Sequence, residues 1–440
     1  MPDSAASQAV DPLDEIQGLA EAAGAEVVGG VTQKRPTPHP RTAFGRGKVE
    51  EIGELARSLG ATVVLVDFDL SPSQGRNLEK DLELRVVDRT ELILDIFAQR
   101  ARTRQAGLQV ELAQMEYLRT RLRRMWTHLE RTEGAIGTRG PGETQLESDR
   151  RLVNQKIRDL KRRLKEIEAR SQRQALSREE PVTLSLVGYT NAGKSSLLNR
   201  LTGAEVYIAD QLFATLDTRV RRWQRQDARD VLLADTVGFV RELPHHLVAS
   251  FHATLEETLN ADLLLHVCDA SDPDLEIHLQ AVEDVLQQLG AGEIPRLRVF
   301  NKIDQLGEAE ALVLQTTHPE AVFLSAETGE GIEDLDYAVA CQLDDWSLDL
   351  QLQIPAGAGK LLADLRRHSL IEEEAYQGEW WHGRVRILPR VWAEVQRDLS
   401  RAGGRFQAQP PTQEDPGGDQ AGERSEDLET QPPAGKLGGS

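Results

Sequence analysis

The string Gly188-Tyr-Thr-Asn-Ala-Gly193-Lys194-Ser195 constrains this chain more than any other, because Gly-x4-Gly-Lys-Ser does its work only between a strand and a helix. Residues 182–187 read as a buried strand, and 195–201 as the helix that opens behind it. There the glycines let the backbone wrap a pyrophosphate, with N–H groups and the helix N-terminus turned toward negative charge. Lys194 is expected to reach the β and γ phosphates, and the Ser195 hydroxyl to ligate Mg2+. From about 181 to 344 strands alternate with helices, which predicts an α/β domain with a mostly parallel sheet covered on both faces.

The later strings fit the same chemistry. Asp235-Thr236-Val237-Gly238 ends an apolar strand at 231–234, which sets a carboxylate beside the phosphate loop. Asp235 is expected to hold Mg2+, and Gly238 to bring a backbone N–H to the γ-phosphate with no side chain in the way. Between the two lies Phe213-Ala214-Thr215-Leu216-Asp217, whose Thr215 can give a hydroxyl to Mg2+ once γ-phosphate orders the loop. Asn301-Lys302-Ile303-Asp304 follows a strand at 297–300. Asp304 can accept from the guanine N1–H and exocyclic amine, a donor pair that adenine lacks, and Lys302 can stack over the base. After one more strand, at 321–324, Ser325-Ala326-Glu327 offers backbone N–H groups to the guanine O6. In this order the motifs imply a guanine-nucleotide domain that takes GTP and GDP. Phe239 stands where many GTPases place a water-orienting glutamine, so slow intrinsic turnover is expected, with help from a partner or a cation. Asn191 resembles the position that holds K+ in cation-dependent relatives; a locally hydrogen-bonded loop residue is the competing reading.

The chain has 440 residues, room for two or three domains. Strand patterns at 26–31, 61–68 and 84–87, a helix at 48–59 and another from Thr90 predict a small α/β domain over 41–106, behind a variable segment 1–40. Val110, Leu112, Met115, Leu118 and Leu122 recur at helical spacing, and a second run covers 146–173. Four glycines and a proline at 133–142 split the two, so 107–176 reads as a helical hairpin with a glycine-rich apex carrying Arg139. Helices at 360–367 and 391–399 with strands at 369–376 and 384–388 predict a small α+β domain over 350–406. Residues 407–440 have almost no large apolar side chain and are expected to be disordered. His245 and His246 read as solvated, and Trp380 and Trp381 as packing residues rather than a base-stacking platform.

Charge argues against nucleic acid at first: 52 Lys plus Arg against 72 Asp plus Glu give −20. The sum hides an asymmetry, because residues 100–173 hold 19 basic and 10 acidic residues and carry +9 while the remainder carries −29. That segment is either a pair of solvated helices laced with ion pairs or an RNA-contacting arm. Two cysteines, Cys268 and Cys341, exclude a disulfide framework and a structural zinc site. With no leader pattern and no spanning apolar run, a cytoplasmic monomer is expected; peripheral membrane association stays open.

With these motifs the chain resembles the HflX family of P-loop GTPases from about residue 41 to 392. The resemblance also rests on Gly45-Arg-Gly-Lys-Val-Glu-Glu-Ile52, Leu70-Ser-Pro-Ser-Gln-Gly-Arg-Asn-Leu-Glu79, Val87-Asp-Arg-Thr-Glu-Leu-Ile-Leu-Asp-Ile-Phe97 and Gly137-Thr-Arg-Gly-Pro-Gly-Glu-Thr-Gln-Leu-Glu147. It implies binding to the large ribosomal subunit, with the N-terminal domain and residues 100–173 directed at ribosomal RNA near the peptidyl transferase region. It also implies GTP hydrolysis coupled to ribosome rescue, subunit dissociation or biogenesis. Carried over by motif, nucleotide contacts fall on Gly188, Tyr189, Thr190, Asn191, Ala192, Gly193, Lys194, Ser195, 213–217, 235–238, 301–304 and 325–327. The family often reads Asp-Pro-Thr where this chain has the shorter Asp217-Thr218-Arg219, and Thr215 is preferred as the Mg2+ threonine. Two other classes stay open: a GTP-gated regulatory protein with incidental hydrolysis, and an RNA remodeller using ATP or GTP. The N-terminal region shows no second phosphate loop.

Overall fold

The computed structural model describes residues 11–124, 141–175, 182–203, 212–213, 215, 219–225, 227, 229–241 and 256–408. A helix α1 (Asp14–Ala22) precedes a small unit in which α2 (Arg46–Leu59), β1 (Val63–Val66), α3 (Pro72–Leu82), β2 (Arg85–Asp88) and α4 (Arg89–Arg100) follow in turn. β1 and β2 pair in parallel. Local chemistry sets the helix starts. Ser71 and Gln74 close a capping box on α3 with Pro72 in its first turn, and Asp88 caps α4 by accepting from the Glu91 N–H at 3.0 Å.

Residues 26–31, expected as a strand, belong to no strand or sheet and leave Val27 and Val28 exposed. The paired glycines 29 and 30 supply no side chains to pack and weaken a strand there. An open cavity of about 420 Å³ separates this segment from β1. Segment 1–40 also contains α1, a regular helix whose Leu19 and Ala20 are fully buried.

Helices α5 (Arg104–Arg124) and α6 (Pro141–Ala175) pack on Leu108, Leu112, Ile157, Leu160 and Leu164. The expected glycine-rich apex lies outside the described residues, except that Pro141 and Gly142 open α6, where proline suits a first turn. Asp88 joins this pair to the small unit. Its buried carboxylate accepts from Tyr117 Oη (2.7 Å), Arg121 Nη2 (2.6 Å) and the Leu70 N–H (3.2 Å) while capping α4.

The next unit is a six-stranded sheet in the order β4-β5-β3-β6-β7-β8, made of β3 (Val182–Val187), β4 (Arg219–Gln224), β5 (Asp230–Asp235), β6 (Leu263–Asp269), β7 (Arg296–Asn301) and β8 (Val322–Phe323). Only β4 runs antiparallel to its neighbour. Around it lie α7 (Lys194–Thr202), α8 (Glu256–Leu259), α9 (Leu275–Leu289), α10 (Glu308–Thr317) and α11 (Ile332–Asp345). β3 and β6, flanked by strands on both edges and almost wholly buried, need the continuous apolar runs they carry.

A C-terminal antiparallel sheet, β10-β11-β9-β12, consists of β9 (Leu348–Pro355), β10 (Leu370–Gln377), β11 (Trp380–Ile387) and β12 (Arg405–Ala408), with α12 (Gly359–His368) and α13 (Pro389–Arg401) beside it. Trp381 is fully buried in its core. β12 draws residues 407 and 408, expected in the disordered tail, into the sheet against Gln351 and Leu350. The backbone ladder there supplies what the side chains do not.

One apolar core crosses from the first unit into the sheet domain: Ile93, Ile96 and Phe97 of α4 share it with Tyr189, Phe213, Val237 and Phe239. Phe97 meets Phe213 edge to face at 4.7 Å between ring centroids. Phe97→Ala is expected to lower unfolding stability by about 3–5 kcal/mol in chemical denaturation, the usual cost of deleting a packed ring. A loss under about 1 kcal/mol would mean that the two units do not share this core.

Candidate nucleotide site

The site sits at the carboxyl ends of β3, β5 and β7, where the loops of a parallel sheet converge. β3 delivers Gly188 and its successors to the start of α7. Gly193 takes φ +90° immediately before that helix, and a Cβ there would stand 2.1 Å from Asn301 Nδ2, so only glycine fits.

Three oxygens meet beside the loop. Ser195 Oγ lies 2.7 Å from Asp235 Oδ2 and 3.0 Å from Thr215 Oγ1, which itself donates to Asp235 Oδ2 at 3.2 Å. The other carboxylate oxygen, Oδ1, is buried with no hydrogen-bond partner among the described residues. Two hydroxyls and a carboxylate with a spare lone-pair site suit a hard divalent cation, so the residues fit Mg2+. Burial holds the Asp235 carboxyl above the usual carboxylate range, although Ser195 and Lys194 pull the other way. Lys194 is buried, and its Nζ donates to the Gly188 and Tyr189 carbonyls at 2.9 and 2.6 Å. Burial is the main reason its amine is brought down to about 8.

The base-side residues mostly brace one another. Asn301 Nδ2 donates to Ala192 O at 2.9 Å and Asn301 Oδ1 accepts from the Ala326 N–H at 2.9 Å, tying the phosphate loop to 325–327. The Ala326 N–H expected to face guanine is thus engaged. Ser325 Oγ accepts from the Thr328 N–H, and Glu327 O receives Arg200 Nη2. Lys302, at φ +67°, reaches Asp269 at 2.6 Å, Ile303 is half-buried, and Asp304 is exposed beside them. Asn191 is exposed at φ +62°, and Thr236 is spent on the Leu186 carbonyl.

The structure therefore brings Lys194, Ser195, Thr215, Asp235 and Gly238 together. Tyr189 and Phe213, expected beside nucleotide, turn their rings into the core shared with α4, where Val237 and Phe239 also pack; Thr190 is buried with its hydroxyl unpartnered among the described residues. Ala214, Leu216, Asp217, His245 and His246 lie outside the described residues.

Sequence reasoning missed Glu15 and Arg241, which meet the Tyr189 hydroxyl at the edge of the site, and Arg89, which holds both of them. Arg89 falls inside one of the diagnostic strings, a signal that was available; Glu15 had none.

Three family descriptions match the chain: "GTP-binding GTPase N-terminal" at residues 10–98, "GTP-binding GTPase Middle Region" at 100–178 and "50S ribosome-binding GTPase" at 183–302. With its phosphate loop, hydroxyl–carboxylate cluster and parallel sheet, this is a P-loop GTPase. GTPase HflX of Escherichia coli (strain K12) is 50% identical over 83% of this chain and 87% of its own length, and GTPase HflX of Magnetococcus marinus 43% identical over 90% and 93%. The chain belongs to the HflX family. A solved GTP-binding protein from Sulfolobus solfataricus, in complex with GDP, is 23% identical with a TM-score of 0.40, covering 74% of this chain and 94% of that one. No helix among the described residues is long and apolar enough to cross a membrane.

Phosphate charge beside Lys194 raises its proton affinity, so GDP binding near pH 8.5 is expected to take up protons, and uptake is expected to vanish below about pH 7, where the amine is already charged. Calorimetric titration in buffers of different ionisation enthalpy measures this. Equal uptake at both pH values would remove the buried, partly neutral lysine from the account.

Proposed function

We propose that this chain hydrolyses GTP on the large ribosomal subunit and couples nucleotide state to ribosome rescue, subunit dissociation or biogenesis. The observation that carries this is the outer face of α6. Arg150, Arg151, Arg158, Arg163 and Lys165 stand exposed with no carboxylate partner among the described residues, while Lys156, Lys161 and Arg162 are paired with Glu111, Glu116 and Asp159. A purely self-paired surface would not leave five cations over, and a phosphate backbone is the partner such a row neutralises. The family descriptions support the same reading, since one of them names 50S ribosome binding.

In this reading Lys194 turns from its carbonyl partners to the β and γ phosphates, and the Gly238 N–H faces the γ-phosphate. Ser195, Thr215 and Asp235 hold Mg2+, which when bound offsets charge on the transferring phosphoryl group. Asp304 and Lys302 take the base. Phe239, 1% exposed, cannot orient water, so basal turnover is slow. Asn191 offers its side-chain oxygen to K+ as a second charge, and that assignment has its own test. K+ is expected to raise basal turnover over Na+ in the parent chain and not in Asn191→Ala; stimulation that survives the substitution would overturn it.

Steady-state GTP hydrolysis is the test of the main reading, with and without purified large subunits, at low and raised salt, with Lys194→Ala as the inactive control. Strong stimulation that fades with salt is the expected result. Normal GTP binding with no stimulation at either salt would favour a GTP-gated regulatory protein with another partner.

A further inference from the structure

In the turn after β8, nearly every backbone donor is spent. Ser325 N–H donates to Glu330 O at 2.9 Å, Ala326 N–H to Asn301 Oδ1 at 2.9 Å, Thr328 N–H to Ser325 Oγ at 3.1 Å and Gly329 N–H to Ser325 O at 2.8 Å. Of the N–H groups at 325–329, that of Glu327 alone has no partner among the described residues, and Glu327 is exposed.

Arg200 sets where that donor points. It stands in the last turn of α7, the helix that Lys194 and Ser195 open, and its Nε donates to Ala326 O at 3.1 Å while its Nη2 donates to Glu327 O at 2.5 Å. A guanidinium is a planar fork with fixed donor directions, so taking two carbonyls at once orients the turn as a point charge would not. The Ala326 C=O and the Glu327 N–H belong to one peptide group, and no described peptide bond is cis. In a trans peptide plane the C=O and N–H point in opposite directions, so a carbonyl held by Arg200 turns the free N–H away from it. Gly329 makes room for the fork: a Cβ there would stand 3.0 Å from Arg200 Nη2 and 3.2 Å from its Cζ, and its φ is +94°.

We propose that Glu327 supplies the backbone N–H that receives the guanine O6, and that Arg200 is the positioning residue that aims it. This rests on the nucleotide-site reading above, in which Asp304 takes the N1–H and exocyclic amine of the same base. Guanine presents an acceptor at position 6 where adenine presents an amine, so a fixed N–H there favours guanine. The Ala326 N–H does not serve while Asn301 holds it, and Asn301 is itself tied to the phosphate loop through Ala192 O at 2.9 Å. Arg200 thus fastens the base-side turn to the helix that carries the phosphate-side residues, and it does so from outside the nucleotide motifs.

The experiment is titration of the full chain with three diphosphates, in competition with a fluorescent GDP analogue. They are GDP; 6-thio-GDP, in which sulfur, a weak acceptor, replaces O6; and xanthosine diphosphate, in which an oxygen replaces the exocyclic amine and O6 stays. The parent is expected to prefer GDP over both. Arg200→Met keeps an unbranched stem and removes the fork. It is expected to weaken GDP and xanthosine diphosphate alike by about tenfold, the worth of one well-aligned hydrogen bond, and 6-thio-GDP far less. The preference for GDP over 6-thio-GDP then shrinks, while the preference over xanthosine diphosphate stands. Parallel loss of all three, with both preferences unchanged, would mean that Arg200 only supports the fold and would overturn the inference, as would a parent chain that does not tell GDP from 6-thio-GDP. Arg200→Lys keeps the charge but cannot span both carbonyls, so it serves if Arg200→Met fails to fold. Its shift is expected in the same direction and smaller, and an unchanged ratio of GDP to 6-thio-GDP would again overturn the proposal. A parent chain that does not tell GDP from xanthosine diphosphate would defeat the nucleotide-site reading instead, because that comparison tests Asp304.

Discussion

The structure hangs on one apolar seam, where Ile93, Ile96 and Phe97 of α4 pack with Tyr189, Phe213, Val237 and Phe239. The segment before Thr215 and the segment after Asp235 each commit an aromatic ring to it, and half of the core belongs to a different unit. Interiors packed at crystal density do not stretch, so a shift of either segment moves α4 or breaks the seam. The polar rim made by Glu15, Arg89 and Arg241 closes around that core and adds direction to an otherwise non-directional contact.

The same α4 carries the link to the charged helices. Asp88 caps it and, with the same carboxylate, receives Tyr117 and Arg121 of α5. A contiguous path of contacts therefore runs from α6 through α5, Asp88 and α4 to the rings beside the phosphate loop. The basic surplus of residues 100–173 sits at the far end of that path, which is how the proposed function reconciles an acidic chain with a polyanionic partner.

The sheet domain was legible because its chemistry is local. Gly193, Lys194 and Ser195 must follow a strand, and Asp235 and Asn301 end strands of their own, so motif and element predict each other. The start of α4 was equally readable, with an aspartate ahead of an apolar helical run. What local pattern could not give was direction. Tyr189 and Phe213 lie within nucleotide motifs yet point into the seam, and Asn301 spends both ends of its amide on bracing loops. Glu15 acts across 174 positions on Tyr189, a relation that no periodicity reveals. At 26–31 the valines suggested a strand but the adjacent glycines supplied nothing to hold it, while at 407–408 backbone pairing with β9 ordered residues whose side chains gave no sign of it.

Phe239 joins these points. A glutamine in its place would bring a polar amide into a site 1% exposed, at a cost of one to several kcal/mol unless it found partners, or it would pull the segment out of the seam. The position can serve packing against α4 or the orientation of attacking water, and this chain uses it for packing. The Phe239 backbone, bridged to Tyr189, reinforces that choice. Under the proposed function, water positioning is left to a docked partner or to a cation, and fast hydrolysis is tied to the state in which that help is present.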